Sequence, residues 1–198
     1  MKKVLLICGE KRHGKDYLAE MLCEYNKDCS KKAFADNIKK ITQEIFSIDY
    51  ETLDEYKNNP HKYYIKTTES ISQNKSKVLS VTDYRQILQK LGTEAIKPIF
   101  GDDIWAKLVL EDIKKSDGKY FVISDFRFPE ELKVFEDDDE VETLTVNIFD
   151  KTVINTDNHS NHSSETSLKD FQSDITVDNT GHRNIKEDVE TIIKLWRD

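Results

Sequence analysis

An apolar run, Val4-Leu5-Leu6-Ile7-Cys8, breaks into Gly9-Glu10-Lys11-Arg12-His13-Gly14-Lys15-Asp16 and resumes as Leu18, Met21, Leu22 and Tyr25 at helical spacing. Strand, glycine loop and helix in that order constrain the chain more than any other stretch. The spacing of Gly9 to Gly14-Lys15 fits a phosphate-binding loop, in which glycines let successive backbone N–H groups curl around an anion and the lysine reaches the outer phosphates. The following helix adds its unsatisfied N–H groups and positive dipole end. Lys11, Arg12 and His13 join Gly9, Gly14 and Lys15 as candidate contacts of the donor nucleotide. The competing reading is a glycine turn between two packed elements. Where such loops normally carry Ser or Thr against Mg²⁺, this one has Asp16. A carboxylate is also a hard oxygen ligand, tolerable beside phosphates when a dication is bound. An acid in a first helical turn is equally favoured by the dipole alone.

A chain of 198 residues suffices for one sizeable core, so a single domain spanning 1–198 is expected. Thirty Lys and Arg against 38 Asp and Glu give a net charge of −8, which disfavours a nucleic-acid binder; an anionic small molecule must then be gathered by local positive charge. The five arginines are Arg12, Arg85, Arg127, Arg183 and Arg197, and the first three fall in motif-bearing stretches. Arg offers a rigid fork for phosphate that Lys lacks. Three scattered cysteines argue against a disulfide framework, and the five apolar residues after Met1-Lys2-Lys3 are too few for a signal peptide or membrane span. The expectation is a soluble cytoplasmic protein without membrane partners.

Further along, Lys31 to Ala35 reads as a second strand, followed by a helix bearing Ile38, Ile41, Ile45 and Phe46 and capped by Asp36 or Asn37. Lys39 in its first turn is poorly matched to the dipole unless an anion binds there, or is simply solvated. Residues 47–80 read as a long substrate-side flap with a helical turn at Asp54 to Lys57. A helix capped by Ser80 or Thr82 then carries Tyr84, Ile87, Leu88 and Leu91, with Gly92 as its stop. Arg85 and Gln89 share its other face, either as a ligand clamp or as solvated side chains. Asp102-Asp103 precede a helix with Trp105 in its first turn, either core or a flat surface for a base. The almost continuously apolar Tyr120-Phe121-Val122-Ile123-Ser124 is a strand covered on both faces. Asp125 and Arg127 follow it. They should emerge at the same sheet edge as the glycine loop, the acid to orient Mg²⁺ and the arginine to hold phosphate oxygens. The alternative for Asp125 is to cap the helix begun at Pro129. Strands over Thr143–Ile148 and Ile175–Val177 and a last amphipathic helix complete a doubly wound parallel α/β sheet of five strands flanked by helices. The polar stretch 150–165 between those strands reads as a lid-like loop, with Lys151 but no arginine; His159 and His162 lack partners for a metal pair.

These segments together resemble the deoxynucleoside monophosphate kinases of tailed bacteriophages. The resemblance is carried by Gly9 to Asp16, Ala35-Asp36-Asn37-Ile38-Lys39, Arg85 to Thr93, Ile104-Trp105, Asp125-Phe126-Arg127, His162-Ser163-Ser164-Glu165 and Asp178-Asn179-Thr180-Gly181. It implies a P-loop kinase fold and transfer of the ATP γ-phosphoryl to a deoxynucleoside monophosphate with Mg²⁺. Lys39, Arg85, Gln89, Gly92, Thr93, Trp105 and Arg127 would serve the acceptor, and the Asn179 loop would lie against adenine. Catalysis would fall to Lys15, Arg12, Arg127 and Asp125, with Asp16 and Asp125 placing the metal. A homodimer stays open, and the compartment would be the host cytoplasm for a phage-encoded chain. Two other readings are a related kinase of the phosphomevalonate type, which shares a loop ending in Lys-Asp, and a nucleotide-binding regulator that barely turns over.

Overall fold

A computed structural model describes residues 1–72, 75–153, 167–168 and 171–197. The chain divides into two compact units, Met1–Phe34 with Trp105–Asp198, and Ala35–Ile104. The second is larger than the 47–80 flap expected from sequence.

In the first unit, strands β1 (Lys2–Cys8), β2 (Cys29–Lys32), β5 (Tyr120–Ile123), β6 (Val141–Phe149) and β7 (Ile175–Asp178) form one sheet in the order β2-β5-β1-β6-β7. Every pairing in it is parallel. This is the five-stranded parallel sheet that the sequence predicts. Val4, Leu5, Leu6 and Ile7 are all fully buried, as a central strand with helices on both faces requires. Leu5 and Ile7 cluster with Leu18 and Leu22 of helix α1 (Lys15–Tyr25) and with Val189, Ile192 and Trp196 of the last helix, α8 (Lys186–Arg197). By the alternation of a strand, Val4 and Leu6 serve the opposite face. Helices α6 (Ile104–Lys115) and α7 (Pro129–Glu136) bring further buried side chains, Val109, Ile113 and Phe135. Strand β2 lies at Cys29–Lys32, two residues earlier than the alternation suggested, because Phe34 leaves the ladder and its N–H bonds to Asp125 instead. None of the described helices is long and apolar enough to cross a membrane.

The second unit holds helices α2 (Ala35–Phe46) and α3 (Tyr50–Asn58), an antiparallel hairpin of β3 (Tyr64–Ser72) with β4 (Lys75–Asp83), and α4 (Tyr84–Gln89) running on into α5 (Lys97–Phe100). Helix α2 starts at Ala35, so Asp36 and Asn37 lie inside its first turn rather than at the cap. The stretch expected as an irregular loop is therefore mostly ordered. Asp49 caps α3 by accepting from the Thr52 N–H at 2.7 Å, and polar Thr- and Ser-rich strands carry no apolar alternation that would announce a hairpin. Helix α4 is capped by Asp83, which accepts from the Gln86 N–H at 2.8 Å; Ser80 and Thr82 belong to β4. Gly92 does not end the helix. A π-helical stretch, Lys90–Ile96, carries the chain into α5, and the break comes at Gly101, whose φ of 100° suits glycine. The core of this unit is aromatic: Tyr56 packs on Tyr63 at 4.1 Å and on Tyr84 at 4.9 Å, and Phe46 meets Tyr84 edge-on at 5.3 Å.

Candidate active site

Strand β1 delivers the glycine loop to the carboxyl edge of the sheet. Two glycines there are required by space as well as by torsion. A Cβ on Gly9 would stand 2.2 Å from the Ile148 carbonyl oxygen, and one on Gly14 would stand 2.6 Å from the Asn179 amide nitrogen; their φ angles are 142° and 98°. Between them Arg12 adopts φ 69°, a left-handed conformation that costs a non-glycine residue about 1–2 kcal/mol and marks the loop's apex as held by its surroundings. The Lys15 ammonium donates to the Gly9 and Glu10 carbonyls, both at 2.7 Å, spanning the loop from the first turn of α1. The result is a closed backbone cradle at a helix N-terminus, with a cation across it. Cys8, one residue before the loop, has its pKa pushed up to about 11 by burial, so it supplies no thiolate at neutral pH.

Beside β1 the neighbouring strand β5 is followed directly by Ser124, which is 6 % exposed. Its hydroxyl donates to Asp16 Oδ1 at 2.8 Å, and Lys31 Nζ lies 3.1 Å from the same oxygen. Partial desolvation pushes the Asp16 pKa up, but the Ser124 bond, then Lys31 and Lys15, outweigh it and hold the carboxyl below its ordinary value. Asp125 Oδ1 accepts from the Phe34 N–H at 2.9 Å and so ties β5 to the end of β2; it does not cap α7. That role falls to buried Glu131, whose carboxylate accepts from the Arg127 and Phe128 N–H groups at 2.9 and 3.0 Å and fixes the backbone from which Arg127 projects. Ser124, Lys31 and Glu131 were missed from sequence. A Glu two residues after a helix-starting Pro is a readable capping signal; a serine closing an apolar strand and a lysine on an edge strand are not.

Asn179 follows β7, in the loop expected to lie against adenine. It is 2 % exposed and its side chain donates to the His13 carbonyl at 3.1 Å, which packs it against the glycine loop. Gly181, two residues on, is exposed. Trp105, in the first unit, is 4 % exposed, which favours the core reading of the two the sequence leaves open. Lys11 is half-buried and Arg12 exposed at the loop. His13 is buried, with Glu10 at 3.9 Å. The lid-like loop beyond Val153, with His159, His162 and the Ser163-Ser164-Glu165 motif, lies outside the described residues.

The second unit collects the residues assigned to the acceptor. Arg85 is exposed on α4 and Gln89 half-buried one turn on. Gly92 and Thr93 fall within the π-helical stretch, a geometry frequent at functional sites. A Cβ on Gly92 would meet Ile38 Cδ1 at 2.7 Å, so the glycine lets this stretch close on the start of α2, next to Lys39. Lys39 Nζ lies 3.5 Å from Asp36 and 5.2 Å from the centroid of the Tyr50 ring.

A glycine cradle closed by lysine, at the carboxyl edge of a doubly wound sheet in this strand order, defines the P-loop kinase fold. The chain belongs to the deoxynucleotide monophosphate kinase family, whose model matches residues 43–189. Membership makes it a phosphotransferase, a kinase of deoxynucleotide monophosphates in general terms. No curated protein matches the chain. The matched stretch contains Arg85, Gly92, Asp125, Arg127 and Asn179; the glycine loop and Lys39 precede it, and their assignment rests on geometry and local chemistry.

Proposed function

We propose that the enzyme transfers the γ-phosphoryl group of ATP to a deoxynucleoside 5′-monophosphate, giving ADP and the diphosphate. An acceptor phosphate oxygen forms the new P–O bond as the bond between the γ-phosphorus and the β–γ bridging oxygen breaks, and ADP leaves as the anion. The acceptor is already an oxyanion, so positioning and charge stabilisation carry the catalysis, with no strong base. The observation that carries the reading is the Gly9–Gly14 cradle closed by Lys15, next to a strand end bearing Ser124, Asp125 and Arg127. Lys15, Arg12 and Arg127 hold the phosphoryl oxygens through which negative charge is spread.

Mg²⁺ fits the donor set. Among the described residues no group of three or more His, Cys, Asp or Glu side chains could hold a metal ion. Mg²⁺ is ordinarily held by one or two carboxylates together with nucleotide phosphates, which is what Asp16 and Asp125 would provide. Bound there, it would neutralise charge on the donor phosphates. Asp16 stays ionised for this because Ser124 and Lys31 favour its charged form.

On the acceptor side, Arg85 and Lys39 would take the monophosphate, with Gln89, Gly92 and Thr93 around it. With Trp105 covered, Tyr50 is the better stacking surface: it is 52 % exposed, and its hydroxyl lies 3.4 Å from Lys39 Nζ. The family match favours nucleotide over an isoprenoid phosphate. A coupled ADP-release assay across deoxynucleoside monophosphates tests the proposal: acceptor-stimulated release is expected, and none with any acceptor would leave a nucleotide-binding regulator instead.

A further inference from the structure

We propose that Asn179 is a positioning residue for the donor phosphates, acting through the main chain of the glycine loop. The proposal rests on reading Gly9–Lys15 as the donor cradle. Asn179 is fastened at its own backbone, whose N–H donates to the Phe149 carbonyl at 2.8 Å. The turn around it is knitted to the end of β6: Thr180 Oγ1 accepts from the Lys151 N–H at 3.1 Å, and Asp150 Oδ1 from the Gly181 N–H at 3.3 Å. From this fixed base the side-chain Nδ2 reaches the His13 carbonyl at 3.1 Å, in the space that Gly14 leaves by lacking a Cβ.

The consequence follows from the planar trans peptide. The carbonyl of His13 and the N–H of Gly14 belong to one peptide plane and point in opposite directions. Drawing the carbonyl back onto Asn179 therefore turns the Gly14 N–H away from Asn179, and fixes the aim of an amide in the cradle before any ligand arrives. Asn179 Oδ1 is buried and has no hydrogen-bond partner among the described residues, so the described bonding of this side chain is a single directed bond. Preorganised backbone dipoles of this kind act without reorganising during reaction.

The near-isosteric Asn179→Asp variant provides the test. Its ionised carboxylate faces the His13 carbonyl oxygen and repels it; burial raises its pKa, and once protonated its O–H donates as the asparagine did. MgATP affinity, measured by competitive titration with a fluorescent ATP analogue between pH 6 and 8.5, should be at least tenfold weaker than wild type at pH 8. The variant-to-wild-type ratio should recover as pH falls, with the KM for the monophosphate within twofold. Asn179→Ala, which has no donor to regain, should show the loss without the recovery. Wild-type affinity at pH 8, a loss in Asn179→Asp that does not change with pH, or a parallel rise in the monophosphate KM would overturn the proposal. A wild-type chain that binds no MgATP would overturn the cradle reading itself.

Discussion

The glycine-loop edge of the first unit and the α2–α4 region of the second are built differently, and under the proposed reaction they would hold their anions by different means. At the loop the work is done by main chain: Gly9 and Gly14 are walled in by Ile148 and Asn179, and Lys15 bridges two loop carbonyls. In the second unit the candidate groups are side chains on helices, Arg85 exposed and Lys39 partnered by Asp36 and Tyr50. A backbone cradle tolerates no change of residue but recognises phosphate whatever carries it. Helix-borne side chains can be exchanged singly, which would suit a unit that, as proposed, chooses among acceptors. The two regions should therefore fail differently when mutated.

The largest effect is expected for Lys15→Ala, a fall in kcat of roughly 10²–10³-fold, the range seen when one preorganised charge-stabilising donor is removed. A steady-state assay saturated in both substrates checks it, and near-normal kcat would remove Lys15 from the transition state. Gly14→Ala should come next. Its φ of 98° and the 2.6 Å approach to Asn179 force the loop to shift, so kcat/KM for ATP should fall roughly 10²-fold, about 3 kcal/mol of lost transition-state binding, with the monophosphate KM little changed. In the second unit the pattern should reverse. Arg85→Ala should raise the monophosphate KM about tenfold by removing a bidentate phosphate contact, and Tyr50→Ala about fivefold by removing a stacking face, both sparing the ATP KM. A rise in the ATP KM alone would erase the contrast between the regions.

The smallest expected effect is electrostatic. Asp16 has a depressed pKa, so its charged form is present above the ordinary carboxylate range and is lost only as pH falls through the lower folded value. Ser124→Ala removes a donor to that charged form and should shift the Asp16 carboxyl titration, followed by carbon NMR, upward. An unchanged titration would mean that the Ser124 bond contributes nothing to holding the charge.

The same contrast explains what could be read beforehand. Val4 to Ile7 and Phe121 to Ile123 are continuous apolar runs that mark buried strands, the alternation of strands with helices points to a parallel sheet, and the glycine spacing marks the loop between Gly9 and Gly14. Gly92 misled because a glycine after helical spacing looks like a stop, whereas here it lets a π-helical stretch close on Ile38. The hairpin of β3 and β4 was hidden by its polar strands. For Trp105 the sequence offers core and a base-stacking face alike, and burial, a tertiary property no local pattern carries, favours core. The contact of Asn179 with His13 joins positions 166 residues apart that no local pattern connects.

The most direct measurement is label transfer. The enzyme is incubated with γ-³²P-ATP, Mg²⁺ and each deoxynucleoside monophosphate in turn, and the products are separated. Label is predicted to appear in a deoxynucleoside diphosphate, and to be lost in Lys15→Ala. Label released only as inorganic phosphate, or retained in ATP with every acceptor, would contradict phosphoryl transfer between the two nucleotides.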